Sequence, residues 1–138
     1  MRTRCATAIG LLLLLAACSS TTSPKGQLLD ISANGSVITL QNRNEWPVFY
    51  QAADPEFLAL ADFILCSDPA SSCPRVPPKG TVRVPYGDIA GFHAGQTHVV
   101  VWQWRLERQA DGTYSQVGFQ AVTVPLRFPL VQATKLGR

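Results

Sequence analysis

The chain of 138 residues has little of what a catalytic centre is built from. It holds two histidines, His93 and His98, and nine carboxylates. It shows no G-x-S-x-G elbow, no Walker loop, no G-x-G-x-x-G turn and no H-E-x-x-H pair. Asp54 and Asp68 precede prolines and Asp111 precedes a glycine, positions that turns explain. Glu45, Glu56, Asp62 and Asp88 follow no pattern that would select an acid–base pair. No catalytic residue, metal ligand set or cofactor is therefore expected, and the domain reads as non-enzymatic. A basic run or basic helical stripe is also missing, which removes the electrostatic footprint of a nucleic-acid binder. The apolar run from Ala6 to Leu15 is only ten residues, too short to span a hydrocarbon core of roughly 30 Å.

That run has a different meaning in context. Arg2 and Arg4 precede it, and Leu15-Ala16-Ala17-Cys18 closes it, the layout of a secretory signal. The last four residues resemble the lipobox of bacterial lipoproteins. The resemblance implies a signal peptide over 1–17, a diacylglyceryl group on Cys18 and an acylated new amine. Two or three acyl chains make release from a membrane very slow, where one holds only marginally. In that family an Asp after the lipidated cysteine often retains the protein in the inner membrane. Ser19 stands there instead, which fits the outer membrane, facing the periplasm, in a diderm cell, and otherwise the outer face of the cell membrane. Residues 18–26 then form the lipidated cysteine and a tether, Ser19 to Gly26 being polar and breaker-rich, with a span of about 15 Å as a random coil. Without Arg2 and Arg4 the chain holds ten basic against nine acidic residues, close to neutral.

Cys66 and Cys73 remain once Cys5 leaves with the signal and Cys18 carries lipid. An isolated pair in an exported domain is most simply a disulfide. It would close an eight-residue loop worth about 2.5 kcal/mol in the loop-entropy treatment, in a segment already stiffened by Pro69 and Pro74. The C-x-x-C spacing of a redox pair is absent, and no further sulfur or histidine cluster lies nearby to complete a metal site.

From Gln27 the pattern is one of short strands. Leu28 to Ala33 and Ser36 to Gln41 flank Asn34-Gly35, a strong hairpin signal, and Pro47 to Ala52 reads as a third strand. Asp54-Pro55 pairs an N-cap residue with a residue suited to the first helical position, so a short helix is expected near 55–61, in competition with a strand over Phe57 to Cys66. Thr81 to Pro85 is another strand, and Tyr86 to Gly95 a glycine-rich loop. Thr97 to Glu107 is the longest: Val100, Trp102, Trp104 and Leu106 share one face, which places the large aromatics toward a core. Tyr114 to Val124 returns as its hairpin partner, with Gly118 a candidate bulge. These elements predict an all-β domain over 27–126, a small antiparallel β-sandwich, with a small β-barrel as the alternative; 127–138 is a tail or edge segment. The stretch from Val76 to Val124 resembles the last three strands of immunoglobulin-like and fibronectin type III domains, and the resemblance implies a two-sheet fold. The local cysteine pair departs from the inter-sheet bridge of immunoglobulin domains.

Binding is the economical function for such a chain. Trp46, in a turn between Glu45 and Pro47, is the leading candidate for an exposed contact, with Tyr86 and His93 beside it as candidates and the stiff Cys66 to Pro78 segment as a second surface. Exposed aromatics stack on sugars or anchor protein partners. The expectation is an envelope protein, held to its membrane through Cys18, that contacts a protein or cell-wall partner. The alternative is a carbohydrate- or peptidoglycan-binding module; a small hydrolase or a metal-binding domain using both histidines is the third reading. The sequence leaves oligomeric state undefined.

Overall fold

The computed structural model describes residues 26–60 and 65–128. The expected signal peptide over 1–17, Cys18, nearly all of the expected tether and the last ten residues lie outside the described residues. Seven strands form two antiparallel sheets: β1 (Asp30–Asn34), β2 (Val37–Gln41) and β5 (Thr81–Pro85) in the order β1-β2-β5, and β3 (Val48–Ala53), β4 (Arg75–Val76), β6 (His98–Arg108) and β7 (Tyr114–Pro125) in the order β4-β3-β6-β7. One helix, α1 (Pro55–Leu60), follows β3. The ladders of the two sheets are separate, which makes this a sandwich and sets the barrel aside. The last three strands divide between the sheets, β5 at an edge of the first and β6 with β7 in the second.

Local chemistry explains the elements. Asn34 pairs with Val37, so the hairpin turn is Gly35-Ser36 rather than Asn34-Gly35; Gly35, at φ +62°, takes the first central position, where a type II′ turn requires glycine. Asp54 caps α1: its Oδ2 accepts the Phe57 N–H at 3.1 Å, and Pro55 fills the first helical position. The helix reading thus prevails over the strand for 55–60. The register between β6 and β7 shifts by one residue between Gln103 and Arg105. The extra residue falls on β7 around Gly118, whose φ of +65° suits a bulge. The two-residue strand β4, hidden in sequence between prolines, pairs with Val48 and Phe49.

The core lies between the sheets. Ile38 and Leu40 of the first sheet, backed by Ile31, Ala33, Val82 and Val84, face Val48, Ala52, Val76, Val99, Val101 and Val124 of the second. The inward row of β6 is therefore Val99, Val101 and Gln103. The expectation that Trp102 and Trp104 point between the sheets is overturned: they stand on the opposite, outer face, where Trp104 is nonetheless buried and Trp102 is half-buried, because the parity of β6 that meets Ile38 and Leu40 is that of Val99 and Val101.

Gln103 is completely buried, and its inward position is satisfied. Its Oε1 accepts the Leu29 N–H at 2.9 Å, and its Nε2 donates to Gln120 Oε1 at 3.1 Å. Gln120 Oε1 also accepts the Leu28 N–H, and its Nε2 donates to the Gly26 carbonyl. The pair ties the start of the domain across both sheets. Asn44 Nδ2 adds a bond to the Leu28 carbonyl, so the segment that would continue from a tether is fixed at the pole carrying Trp46.

Candidate functional site

Three places carry the residues singled out in the sequence, and they lie apart. At the first pole, the buried Asn42 organises the turn before β3. Its Nδ2 lies 2.7 Å from the Trp46 carbonyl and 3.1 Å from those of Val76 and Pro77, while its Oδ1 accepts from the Asn44 backbone. Trp46 is 42% exposed, as expected of a turn residue. Its ring face, however, is met by the Arg105 guanidinium, 5.5 Å from the centroid, a cation–π arrangement that occupies the surface a sugar would use.

At the opposite pole, Tyr86 is only 3% exposed, which removes it as a contact residue. Its ring packs on Phe92 and Phe128 at 5.7 and 5.6 Å, and its hydroxyl donates to the Arg127 carbonyl at 3.2 Å and lies 3.3 Å from the Arg127 N–H. Tyr86 continues the inward parity of Val82 and Val84 on β5, just before the chain enters the short 3₁₀ turn Tyr86–Asp88. His93 is exposed, its Nδ1 near the Gly91 carbonyl; His98 is exposed, its Nδ1 near Thr97 Oγ1. Each ring is engaged by a near neighbour in the chain, His93 in its loop and His98 at the start of β6. Among the described residues no group of three or more His, Cys, Asp or Glu side chains could hold a metal ion. The buried Asp54 and Gln96 are engaged with each other at 2.6 Å, with Gln96 Nε2 also donating to the His98 carbonyl.

The third place is the outer face of the four-stranded sheet. Phe49 of β3 pairs with Trp104 of β6, ring centroids 6.3 Å apart. Phe119 of β7 lies 6.4 Å from Trp104 and 5.8 Å from Trp102. A loop closes over one side of this cluster. Cys66 and Cys73 meet with Cα atoms 6.2 Å apart, within the range a disulfide bridges. The Cys66 carbonyl accepts from both Trp104 Nε1, at 3.1 Å, and Gln116 Nε2, at 3.0 Å. The stapled loop is thereby docked on the sheet, and it buries Trp104 to 2% exposure. Phe119 escapes this cover and is 48% exposed, with Trp102 half-buried beside it.

Phe119 is the candidate the sequence reading missed. The signal was present: Gln120, Val122 and Val124 share one parity of β7 and Phe119, Ala121 and Thr123 the other, so assigning the valines to the core leaves Phe119 outside. Among the described residues no helix is long and apolar enough to cross a membrane. Comparison with family models, with curated proteins and with solved structures finds no match for the chain.

Proposed function

We propose that this chain is a lipid-anchored envelope protein whose β-domain makes a non-enzymatic contact with a protein partner through Phe119. The anchor reading rests on Arg2, Arg4, the apolar run and Leu15-Ala16-Ala17-Cys18. The contact reading is carried by one observation: Phe119 is half exposed while its ring is held against Trp102 and Trp104. An aromatic ring already fixed in place loses little entropy on docking, the property of a binding anchor. Among the described residues the buried polar side chains, Asn42, Asp54, Gln96 and Gln103, are engaged within the fold. A glycan-binding strip has less support. Trp46 sits under Arg105 and Trp104 is buried, which leaves Trp102 as the half-exposed tryptophan beside Phe119.

The test uses the full chain carrying Cys18→Ser, which frees it from lipid, added to isolated envelopes from the producing cell. Saturable binding is expected, lost when the envelopes are treated with protease and weakened about tenfold or more by Phe119→Ser, the size of a hot-spot truncation. Binding that survives protease and persists on purified sacculi would replace the protein partner with a glycan. Indifference to Phe119→Ser would discard the site. The anchor is tested separately, by the mass of membrane-extracted wild type: Cys18 to Arg138 plus acyl groups is expected, and a soluble, unmodified chain would end that part of the reading.

A further inference from the structure

The sandwich has four outer edges, and three of them are protected in ways that discourage strand addition. β1 is five residues long, with Asp30 paired to Arg43. β5 is also five residues and contains Arg83 and Pro85. β4 has two residues, set between Pro74 and Pro77. The edge strand β7 is different. It runs for twelve residues, Tyr-Ser-Gln-Val-Gly-Phe-Gln-Ala-Val-Thr-Val-Pro, with no charged side chain and proline only at its end. Long, uncharged and rich in valine and aromatics, it has the composition that favours further pairing.

The ladder shows which of its backbone groups are open. Leu126 N–H donates to the Thr97 carbonyl at 2.8 Å, continuing the β6–β7 register by one step. Antiparallel alternation then turns the backbone groups of Val124, Val122 and Gln120 toward β6, and those of Thr123, Ala121 and Phe119 away from it. Phe119, Ala121 and Thr123 are all exposed. Among the described residues no strand pairs with this edge.

We propose that β7 is an interface between two copies of this chain, paired antiparallel about a twofold axis at Ala121. In that register Phe119 of one copy lies opposite Thr123 of the other, an aromatic–β-branched pair of the favourable kind. Near a twofold axis each residue meets its own copy or a close neighbour, so a charged strand would set like charges together; β7 brings none, and places a small residue at the axis. The pairing is isologous and uses the edge that, among the described residues, is long and uncharged, so assembly closes at two rather than continuing as a fibre. The two four-stranded sheets become one of eight strands, bounded at each end by β4. This goes beyond the proposed lipoprotein reading and does not depend on it.

The full chain with Ala121→Cys, purified in mild detergent and gently oxidised, tests the register. Directly opposed residues with exchanged hydrogen bonds have Cα atoms about 5.5 Å apart, within disulfide reach. Two copies of position 123 would be about 14 Å apart in the same register. A covalent dimer from Ala121→Cys and a monomer from Thr123→Cys are expected. Adding Thr123→Pro to Ala121→Cys, which removes an outward N–H, should cut the dimer yield several-fold with the circular dichroism unchanged. Ala121→Lys should give a monomer by native mass spectrometry where the wild type is a dimer, a readout independent of oxidation. A monomeric Ala121→Cys chain, or equal cross-linking at 121 and 123, would overturn the proposal. So would capture of the introduced thiol by a chain of different mass, which would make the edge a site for a foreign strand.

Discussion

The two faces of β6 solve different packing problems with residues from one strand. The inner face offers Val99, Val101 and Gln103 to a gap between two sheets, where most neighbours are aliphatic and a polar group must be hydrogen-bonded. The outer face offers Trp102 and Trp104 to a surface with no opposing sheet, and the chain brings its own cover in the loop from Cys66 to Cys73. Trp104 ends as buried as the core valines, but through two flanking rings and a docked carbonyl. A large ring on a strand therefore marks a face that will be covered, without saying by what. Around Val99 and Val101 the inter-sheet layer takes mostly branched aliphatics, with Tyr50 and Tyr86 among the rings it admits, while the indoles of β6 take the outer face, where a loop covers Trp104.

If the outer cluster is a second core, truncating it should cost as much as truncating a main core residue of its size. Trp104→Ala is expected to destabilise by about 3–5 kcal/mol in urea unfolding, more than Val101→Ala on the inner face. An outer truncation cheaper than the inner one would reduce the loop to loose cover and collapse the comparison. A smaller effect is expected from the polar member of the inner row. Gln103→Ala leaves the buried Leu29 N–H without its acceptor and removes the donor to Gln120, a loss of about 1–3 kcal/mol. Hydrogen exchange should place that loss first at Leu29. Uniform acceleration across β6 would instead mean that Gln103 acts by volume alone.

Much of this was legible because backbone geometry leaves direct marks on sequence. Asp54-Pro55 announced the cap of α1, Gly118 the bulge, and the alternations of β6 and β7 their pairing. What was not legible depended on partners distant in the chain. Alternation separates the two faces of β6 but carries no sign, so the inward face was misassigned until Ile38 and Leu40 came into view as its counterpart. Tyr86 extends the parity of Val82 and Val84, a local signal that it points inward, but nothing near it in sequence points to Phe128, 42 residues on, as its packing partner. Nothing within β6 or β7 marks Gln103 and Gln120 as acceptors; only the arrival of Leu28 and Leu29 from the start of the domain gives them that role. Phe119 could have been found by parity alone, had the valines of β7 been assigned first.

The smallest effect concerns the other polar group on the inner face. Tyr50 pairs in register with Gln103. Burial first, and the Asp88 carboxylate second, raise its phenol above the ordinary value of 10.0. A folded-state pKa above the unfolded one means that the native protein holds the proton where the unfolded chain has released it. The stabilisation is complete below pH 10 and is lost as the pH climbs through the folded value. Urea midpoints of wild type and Tyr50→Phe should therefore run parallel from neutrality to about pH 10. Above that the wild type should fall more steeply, since the phenylalanine variant has no phenol to ionise at that position. The lysines and the other tyrosines are common to both proteins, so the difference isolates this one group. Parallel curves throughout would mean that the phenol ionises as readily in the fold as in the unfolded chain, and that the inner face at Tyr50 is wetted much as the outer face is at Phe119.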